Sequence, residues 1–446
     1  MKKPILLVCI VLSILIVGCD TDNRSTPTSL VKLTPPPQST ERPVKTTIPT
    51  STLTGAPTAL TNEHLQTQCL DVAPVPSHDN GSSGIVILQN SSASAALLMN
   101  MTTREFSPIM AYDEKRANYK VSPDKKLLAY QQITSNTEGV TIRNELVIAT
   151  SNGQALKMLP LEAEWARLVD WLDNQHLIIS LASSDPEENA GTKPATLLIL
   201  NPFTDEQKFL RPDYPGYLDM PSTIVPYWDG WSGVIYNPDL TRAIYPRFVG
   251  SGEQIYTYAV WDLTDQKLLS TLENEFTAFS VFNDKFPIPR WSPDGSQFVF
   301  RGMVFVSDEL VAFELYRVAL DGQVDQLTQL TSSALVQDSN FSWSPDGRYI
   351  AVFLNDWGDN IWETSARVAV LNMETLELTD YCIQVNGKSN SGGLPSSPIW
   401  SPDSKQFLVA DWHEENNQRV ILVDIEKGFA SQIAEGMEPV GWMIAP

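Results

Sequence analysis

Trp291-Ser292-Pro293-Asp294-Gly295 returns as Trp343-Ser344-Pro345-Asp346-Gly347 and again as Trp400-Ser401-Pro402-Asp403-Ser404, at separations of 52 and 57 residues. A short apolar run follows each copy: Phe298-Val299-Phe300, Tyr349-Ile350-Ala351-Val352 and Phe407-Leu408-Val409. Proline fixes φ at the second position of a tight turn, aspartate bonds nearby backbone N–H groups, and glycine takes a positive φ without steric cost. The phrase therefore reverses a strand, and the indole ahead of it ends one. An exposed indole at every repeat would be wasteful, so Trp291, Trp343 and Trp400 are expected in the core, filling gaps between neighbouring sheets. Self-similarity at this period points to stacked or radially arranged units, here β rather than helical.

Weaker copies extend the series. Val121-Ser122-Pro123-Asp124 precedes Leu128-Ala129-Tyr130, Trp171-Leu172-Asp173-Asn174 precedes Ile178-Ile179, and Tyr236-Asn237-Pro238-Asp239 precedes Ala243-Ile244-Tyr245. Each is followed by further strand signals, such as Glu145–Ala149, Thr196–Leu200, Val368–Leu371 and Val420–Val423. Four strands per repeat joined by small turns describe a propeller blade. The ends supply one more. Glu438-Pro439-Val440-Gly441-Trp442-Met443-Ile444 resembles the strand before a turn, and three strands without a motif lie near Gly84–Leu88, Ala95–Met99 and Glu105–Ile109. One plus three makes a seventh blade, and closure removes the open sheet edges that invite aggregation. The expected fold is all-β, a seven-bladed β-propeller closed by a C-terminal strand plus N-terminal strands; the alternative is six blades with an N-terminal cap.

The Trp-Ser-Pro-Asp-Gly phrase, the alternating strand behind it and endings such as Gln329-Leu330-Thr331 resemble the TolB-type β-propeller family over residues 84–446. The resemblance marks a fold more than a function. The same blades occur in the propellers of prolyl-oligopeptidase-like enzymes and in lipoproteins of unassigned role. TolB carries an α/β domain ahead of its propeller, which residues 20–66 do not resemble, so the family's partners are not carried over.

The first residues resemble a bacterial lipoprotein signal. Lys2 and Lys3 precede an apolar run, Ile5–Val17, too short for a comfortable span, and Ile16-Val17-Gly18-Cys19 resembles a lipobox. This reading makes 1–18 a signal peptide and Cys19 a lipidated mature N-terminus, on an extracytoplasmic protein anchored to the bacterial cell membrane. An ordinary signal peptide with a chance cysteine is the alternative. Residues 19–66 are rich in Ser, Thr and Pro, with too few apolar side chains to offset the entropy of ordering. They read as a tether, or as a wall-crossing or glycosylated stalk, ahead of a propeller at 67–446.

With 31 basic and 53 acidic residues the chain carries a formal charge of −22; loss of Lys2 and Lys3 with 1–18 makes it −24. Such a surface repels phosphate backbones, so nucleic acid is excluded as an expected partner. Once Cys9 leaves with the signal and Cys19 is acylated, Cys69 and Cys382 remain in an oxidising setting. They are expected to form a disulfide that pins the end of the tether to a late strand of the body; the alternative is two isolated buried thiols.

In a propeller these turns share one face, so the longer connections fall on the other, where a rigid scaffold displays binding loops. The long segments are Ser183–Pro194, Arg211–Trp231, Asn274–Pro289, Asn355–Ser365, Asn386–Ser397 and Asp411–Gln418. Aromatic and acidic residues gather in three of them: Tyr214, Tyr217, Tyr227, Trp228, Asp229 and Trp231; Asp356, Trp357, Asp359 and Trp362; and Asp411, Trp412, His413, Glu414 and Glu415. Such a platform suits a sugar, a cationic peptide or a basic protein patch. Alternatively Trp228, Trp231 and Trp412 pack between blades.

No metal is expected. There are four histidines, and Asn355-Asp356-Trp357-Gly358-Asp359-Asn360 has oxygen enough for calcium but lacks the spaced acidic ladder of a dedicated loop. Gly230-Trp231-Ser232-Gly233 has the wrong spacing for a nucleophile elbow, and Gly387-Lys388-Ser389 lacks the earlier glycine of a phosphate-binding loop. The expected protein is a monomeric binding or scaffolding module for an envelope protein, peptide or glycan, without a cofactor. The alternative is a propeller hydrolase of glycans or peptides with carboxylates at the channel mouth, which the sequence leaves open.

Overall fold

The computed structural model describes residues 65–74, 81–90, 96–109, 115–135, 141–161, 166–181, 196–210, 235–248, 255–265, 267–272, 279–280, 289–306, 309–330, 335–336, 340–355, 365–387, 396–414 and 417–446. They form seven antiparallel sheets, each with four successive strands, the pattern of a seven-bladed β-propeller. Blade 1 orders Met437–Met443, Ile85–Asn90, Ala96–Asn100 and Phe106–Pro108. Blade 2 holds Lys115–Val121, Leu127–Ser135, Thr141–Thr150 and Ala155–Pro160, and blade 3 holds Ala166–Trp171, Leu177–Leu181, Thr196–Leu200 and Gln207–Leu210. The first strands of blades 4 to 7 are Ile235–Tyr236, Arg290–Trp291, Ser342–Trp343 and Ile399–Trp400.

Blade 1 joins the two ends of the described chain. Ile85 lies opposite Met443, Val86 opposite Trp442 and Ile87 opposite Gly441. The N-terminal strands are therefore members of a seventh blade, and the six-bladed alternative with a cap does not hold.

Every blade is buried on both faces, which is why its central strands are almost continuously apolar rather than alternating. In blade 7, Phe407, Val409, Ile421 and Val423 pack toward blade 6. Their sequence neighbours Leu408, Val420 and Leu422 pack toward blade 1, against Val86, Met99 and Trp442. Similar clusters fill the junctions between blades 1 and 2, 2 and 3, 3 and 4, 4 and 5, and 5 and 6. Each aliphatic side chain buried in this way contributes roughly 1.5–3 kcal/mol, so the apolar stabilisation is spread around the ring.

A short N-terminal strap lies outside this scheme. Leu65–Thr67 pairs in parallel with the last strand of blade 6, Leu378–Asn386, and Val72–Ala73 pairs in parallel with the last strand of blade 7, Phe429–Glu435. Both blades thereby gain an outer strand that covers an exposed edge. Between the two pairings, Cys69 is bonded to Cys382 with Cα atoms 4.8 Å apart. Cys382 sits at a break in blade 6 register with φ 58°, its N–H held 2.8 Å from Asp380 Oδ1. The first two described residues of the strap, Leu65 and Gln66, belong to the stretch expected as tether.

One expected loop is instead a hairpin. Asp411 and Trp412 were placed in an irregular connection, but Gln406–Glu414 and Asn417–Asp424 are paired strands, with Asp411 opposite Arg419 and Trp412 opposite Gln418. Asp411 is fully buried, bonded 2.6 Å to Arg419 Nε and 2.8 Å to the Asn386 N–H. It therefore joins blades 6 and 7 rather than serving a surface platform. Trp412 is paired opposite Gln418, and His413 lies at the irregularity between Trp412 and Glu414 in the same strand. Tyr227, Trp228, Asp229, Trp231, Asp356, Trp357, Asp359 and Trp362 lie outside the described residues.

Candidate functional site, the central channel

The repeated turn is a small hydrogen-bonded device. Ser122, Ser292, Ser344 and Ser401 each donate a hydroxyl to the aspartate two residues on, at 2.7, 2.6, 2.7 and 2.6 Å. Each hydroxyl in turn accepts the N–H of the residue that opens the next strand: Leu127, Gln297, Tyr349 or Gln406. The fourth turn residue is left-handed in blades 2 and 4 to 7: Gly295 and Gly347 have φ 69° and 72°, while Lys125, Leu240 and Ser404 have 62°, 56° and 62°. Neighbouring turns touch. Asp124 N–H donates to Asn174 Oδ1 at 2.8 Å, Asp346 N–H donates to Ser404 Oγ at 3.1 Å, and a Cβ on Gly295 would lie 3.0 Å from Pro238. The turns thus lie side by side on one face of the disc.

The indoles fasten each first strand to its neighbour. Trp291 Nε1 donates to Ile235 O at 3.2 Å, Trp343 to Arg290 O at 3.3 Å, and Trp400 to Ser342 O at 3.2 Å. Trp171 donates to Lys120 O at 2.9 Å. In all four pairs the acceptor is the residue just before the turn-leading position of the preceding blade. Trp442 occupies the same position in blade 1 but donates to Ser83 O at 3.0 Å, in the strand-entry segment of its own blade. Trp400 and Trp442 are buried, whereas Trp291 and Trp343 remain partly exposed.

The first strands enclose a cavity of about 820 Å³ along the ring axis, walled by residues from all seven blades. It reaches the turn face, where Pro123, Asn174, Pro238, Pro293 and Pro345 frame it. One wall position recurs once per blade, directly before the turn-leading residue: Gly441, Lys120, Asp170, Ile235, Arg290, Ser342 and Ile399 in blades 1 to 7. Lys120 Nζ lies 3.6 Å from Asp170 Oδ2. Lys125, from the blade 2 turn, also lines the space. Burial lowers the pKa of Lys125, and Asp170 opposes the effect. The Arg290 guanidinium is under the same two influences, and its Nε is buried without a hydrogen-bond partner among the described residues. A guanidinium stays charged under such a shift, so Lys120, Lys125 and Arg290 stand as three cations around Asp170 in the wall.

Asp124 and Asp173 also border the cavity, but both serve their turns. Asp124 accepts from Ser122 and the Lys126 N–H, and Asp173 accepts the His176 N–H and contacts its ring nitrogen at 2.8 Å. Among the described residues no three His, Cys, Asp or Glu side chains come together as a metal centre. The Asn355–Asn360 calcium candidate lies beyond the described residues except for Asn355.

No protein-family model matches the sequence, and neither does any curated protein. Solved structures with a similar fold include TolB from Acinetobacter baumannii, 14% identical over 82% of this chain and 68% of that one, with a TM-score of 0.38. The β-propeller domain of the Trilobed protease from Pyrococcus furiosus is 11% identical over 72% of this chain and 85% of that one, TM-score 0.43. A puromycin-hydrolyzing peptidase of Mycobacterium tuberculosis is 12% identical over 83% of this chain and 57% of that one, TM-score 0.48. At these identities the likeness is one of fold alone.

Proposed function

We propose that the protein is a lipid-anchored, extracytoplasmic β-propeller that binds a ligand or an envelope partner, acting as a binding or scaffolding module. The observation that carries this reading is the axial cavity. Its wall is largely apolar and aromatic with a few convergent polar groups, the composition of a binding pocket. A glycoside hydrolase needs two carboxylates facing the scissile bond, roughly 5–9.5 Å apart. Among the described residues, Asp170 is the lining carboxylate not engaged in a turn, and Lys120 pairs with it. The lipobox-like Ile16–Cys19, followed by the Ser/Thr/Pro-rich stretch, supports the anchor and the extracytoplasmic placement. The acidic surface disfavours nucleic acid.

The test is acyl labelling and affinity capture of the tagged protein in its native host. The reading expects Cys19 to take up labelled fatty acid, Cys19→Ala to lose the label and leave the membrane fraction, and a partner or ligand to co-purify. Turnover of a glycan or peptide panel by an unlabelled, partnerless monomer would overturn it.

A further inference from the structure

We propose that the axial channel is a site for an aromatic or otherwise apolar organic anion, with its carboxylate or phosphate held by Arg290 and Lys125 and its body against the partly exposed Trp291 and Trp343. The inference rests on the reading of the propeller as a binding module and names the chemistry of its ligand. The charges are gathered on one arc of the ring. Blades 2, 3 and 5 contribute Lys120, Lys125, Asp170 and Arg290, whereas the equivalent wall positions of blades 1, 4, 6 and 7 are Gly441, Ile235, Ser342 and Ile399. Asp170 is paired with Lys120, and Asp124 and Asp173 are held by their own turns, so Lys125 and Arg290 are the lining cations without an ion-pair partner among the described residues. Their partial burial in the cavity wall incurs a desolvation cost, which an anionic ligand would relieve.

Two details sharpen the argument. The buried Nε of Arg290 has no hydrogen-bond partner among the described residues, and a guanidinium edge binds carboxylate or phosphate through paired N–H groups. Lys125 occupies the left-handed turn position that is glycine in blades 5 and 6. A non-glycine residue there is disfavoured, because its Cβ crowds the following carbonyl. At the other two non-glycine positions the side chain has a visible structural use: Leu240 packs into the cluster between blades 3 and 4, and Ser404 accepts the Asp346 N–H. Lys125 instead lends its side chain to the channel wall.

The experiment is calorimetric titration of the full-length, detergent-solubilised protein with phenylacetate and phenyl phosphate, using benzyl alcohol and benzylammonium as neutral and cationic counterparts. The inference expects both anions to bind at least tenfold more tightly than benzyl alcohol, and benzylammonium more weakly still. A preference between the two anions identifies the head group, carboxylate or phosphate. Arg290→Gln and Lys125→Gly should each weaken the anions at least fivefold without changing benzyl alcohol; the second introduces the residue its sister turns already use, so folding should be kept. Asp170→Asn should tighten the anions severalfold, a gain that a purely structural role would not produce. Equal binding of neutral and anionic probes, or variants that leave the anion preference unchanged, would overturn the anion site. If the protein takes none of the probes yet still captures an envelope partner, the site fails while the binding module stands.

Discussion

Replacing Trp442 by alanine probes the seam of the ring. Its indole is 1% exposed and packs among Val86, Leu88, Met99, Leu408, Val420 and Leu422, so it touches the N-terminal strands of its own blade and the central strands of blade 7. An indole of about 200 Å² at about 25 cal/mol per Å² contributes about 5 kcal/mol. Its Nε1 hydrogen bond to Ser83 O adds about 1 kcal/mol. Truncations of buried large aromatics typically cost about 3–5 kcal/mol, so Trp442→Ala is expected to cost about 4–5 kcal/mol. Trp442→Phe keeps most of the packing and loses the donor, at a cost of about 1–2 kcal/mol. Trp343→Ala, at a partly exposed sister position, should cost about 2–3 kcal/mol. Guanidinium unfolding followed by far-ultraviolet circular dichroism gives these values as midpoint shifts at constant slope. A cost below about 1 kcal/mol for Trp442→Ala, or one no larger than for Trp343→Ala, would refute the reasoning, because the seam would then not be part of the core.

Other outcomes follow from single contacts. A Cβ on Gly441 would lie 2.5 Å from Val121 Cγ2 and 3.0 Å from Ile87 Cδ1, so Gly441→Ala should destabilise by about 1–3 kcal/mol, read from the same unfolding curves. Burial opposes ionisation of Asp294 and Asp346, but hydrogen bonds from Ser292 and Ser296, and from Ser344 and Arg348, hold both carboxyl pKa values below the usual range. Their contribution is therefore complete above about pH 4 and lost as the pH falls through the folded-state values. Ser344→Ala should accordingly be most destabilising near pH 7 and lose that difference in strong acid; a gap independent of pH in urea midpoints would contradict it. Reduction of Cys69–Cys382 frees a strap held otherwise by two short parallel pairings. Limited proteolysis of the reduced protein should cut within residues 65–74 and spare the blades, whereas the oxidised protein resists there.

Much of the ring was legible because each blade repeats the same physical solution. Ser-Pro-Asp-Gly can be read as a turn from the conformational limits of its residues alone, and Trp442 within Glu438–Ile444 repeats the strand that precedes such a turn and so signals the shared blade. The strap was not legible. Leu65–Thr67 and Val72–Ala73 are strands only because the edges of blades 6 and 7 offer unpaired backbone groups, and neither segment has an apolar period of its own. The hairpin at Asp411–Gln418 was misread because polar residues in a two-sided blade look like a loop when their partners, here Arg419 and Asn386, lie elsewhere in the chain. The channel residues were missed for a different reason. The long loops hold the denser aromatic and acidic clusters, yet the position just before each turn-leading residue forms a column of Lys120, Asp170, Ile235, Arg290, Ser342, Ile399 and Gly441, in which three charges stand out.

The ring with its shared blade is tested most directly by amide hydrogen exchange resolved along Met437–Met443. The account predicts that the amides of this inner edge strand that face Ile85–Asn90 exchange as slowly as those of Ile85–Asn90 itself, because they are ladder-bonded, while its alternate amides exchange faster. Rapid exchange of every amide of Met437–Met443 beside protected central strands would contradict it, since the two ends of the described chain would then not meet in a common sheet.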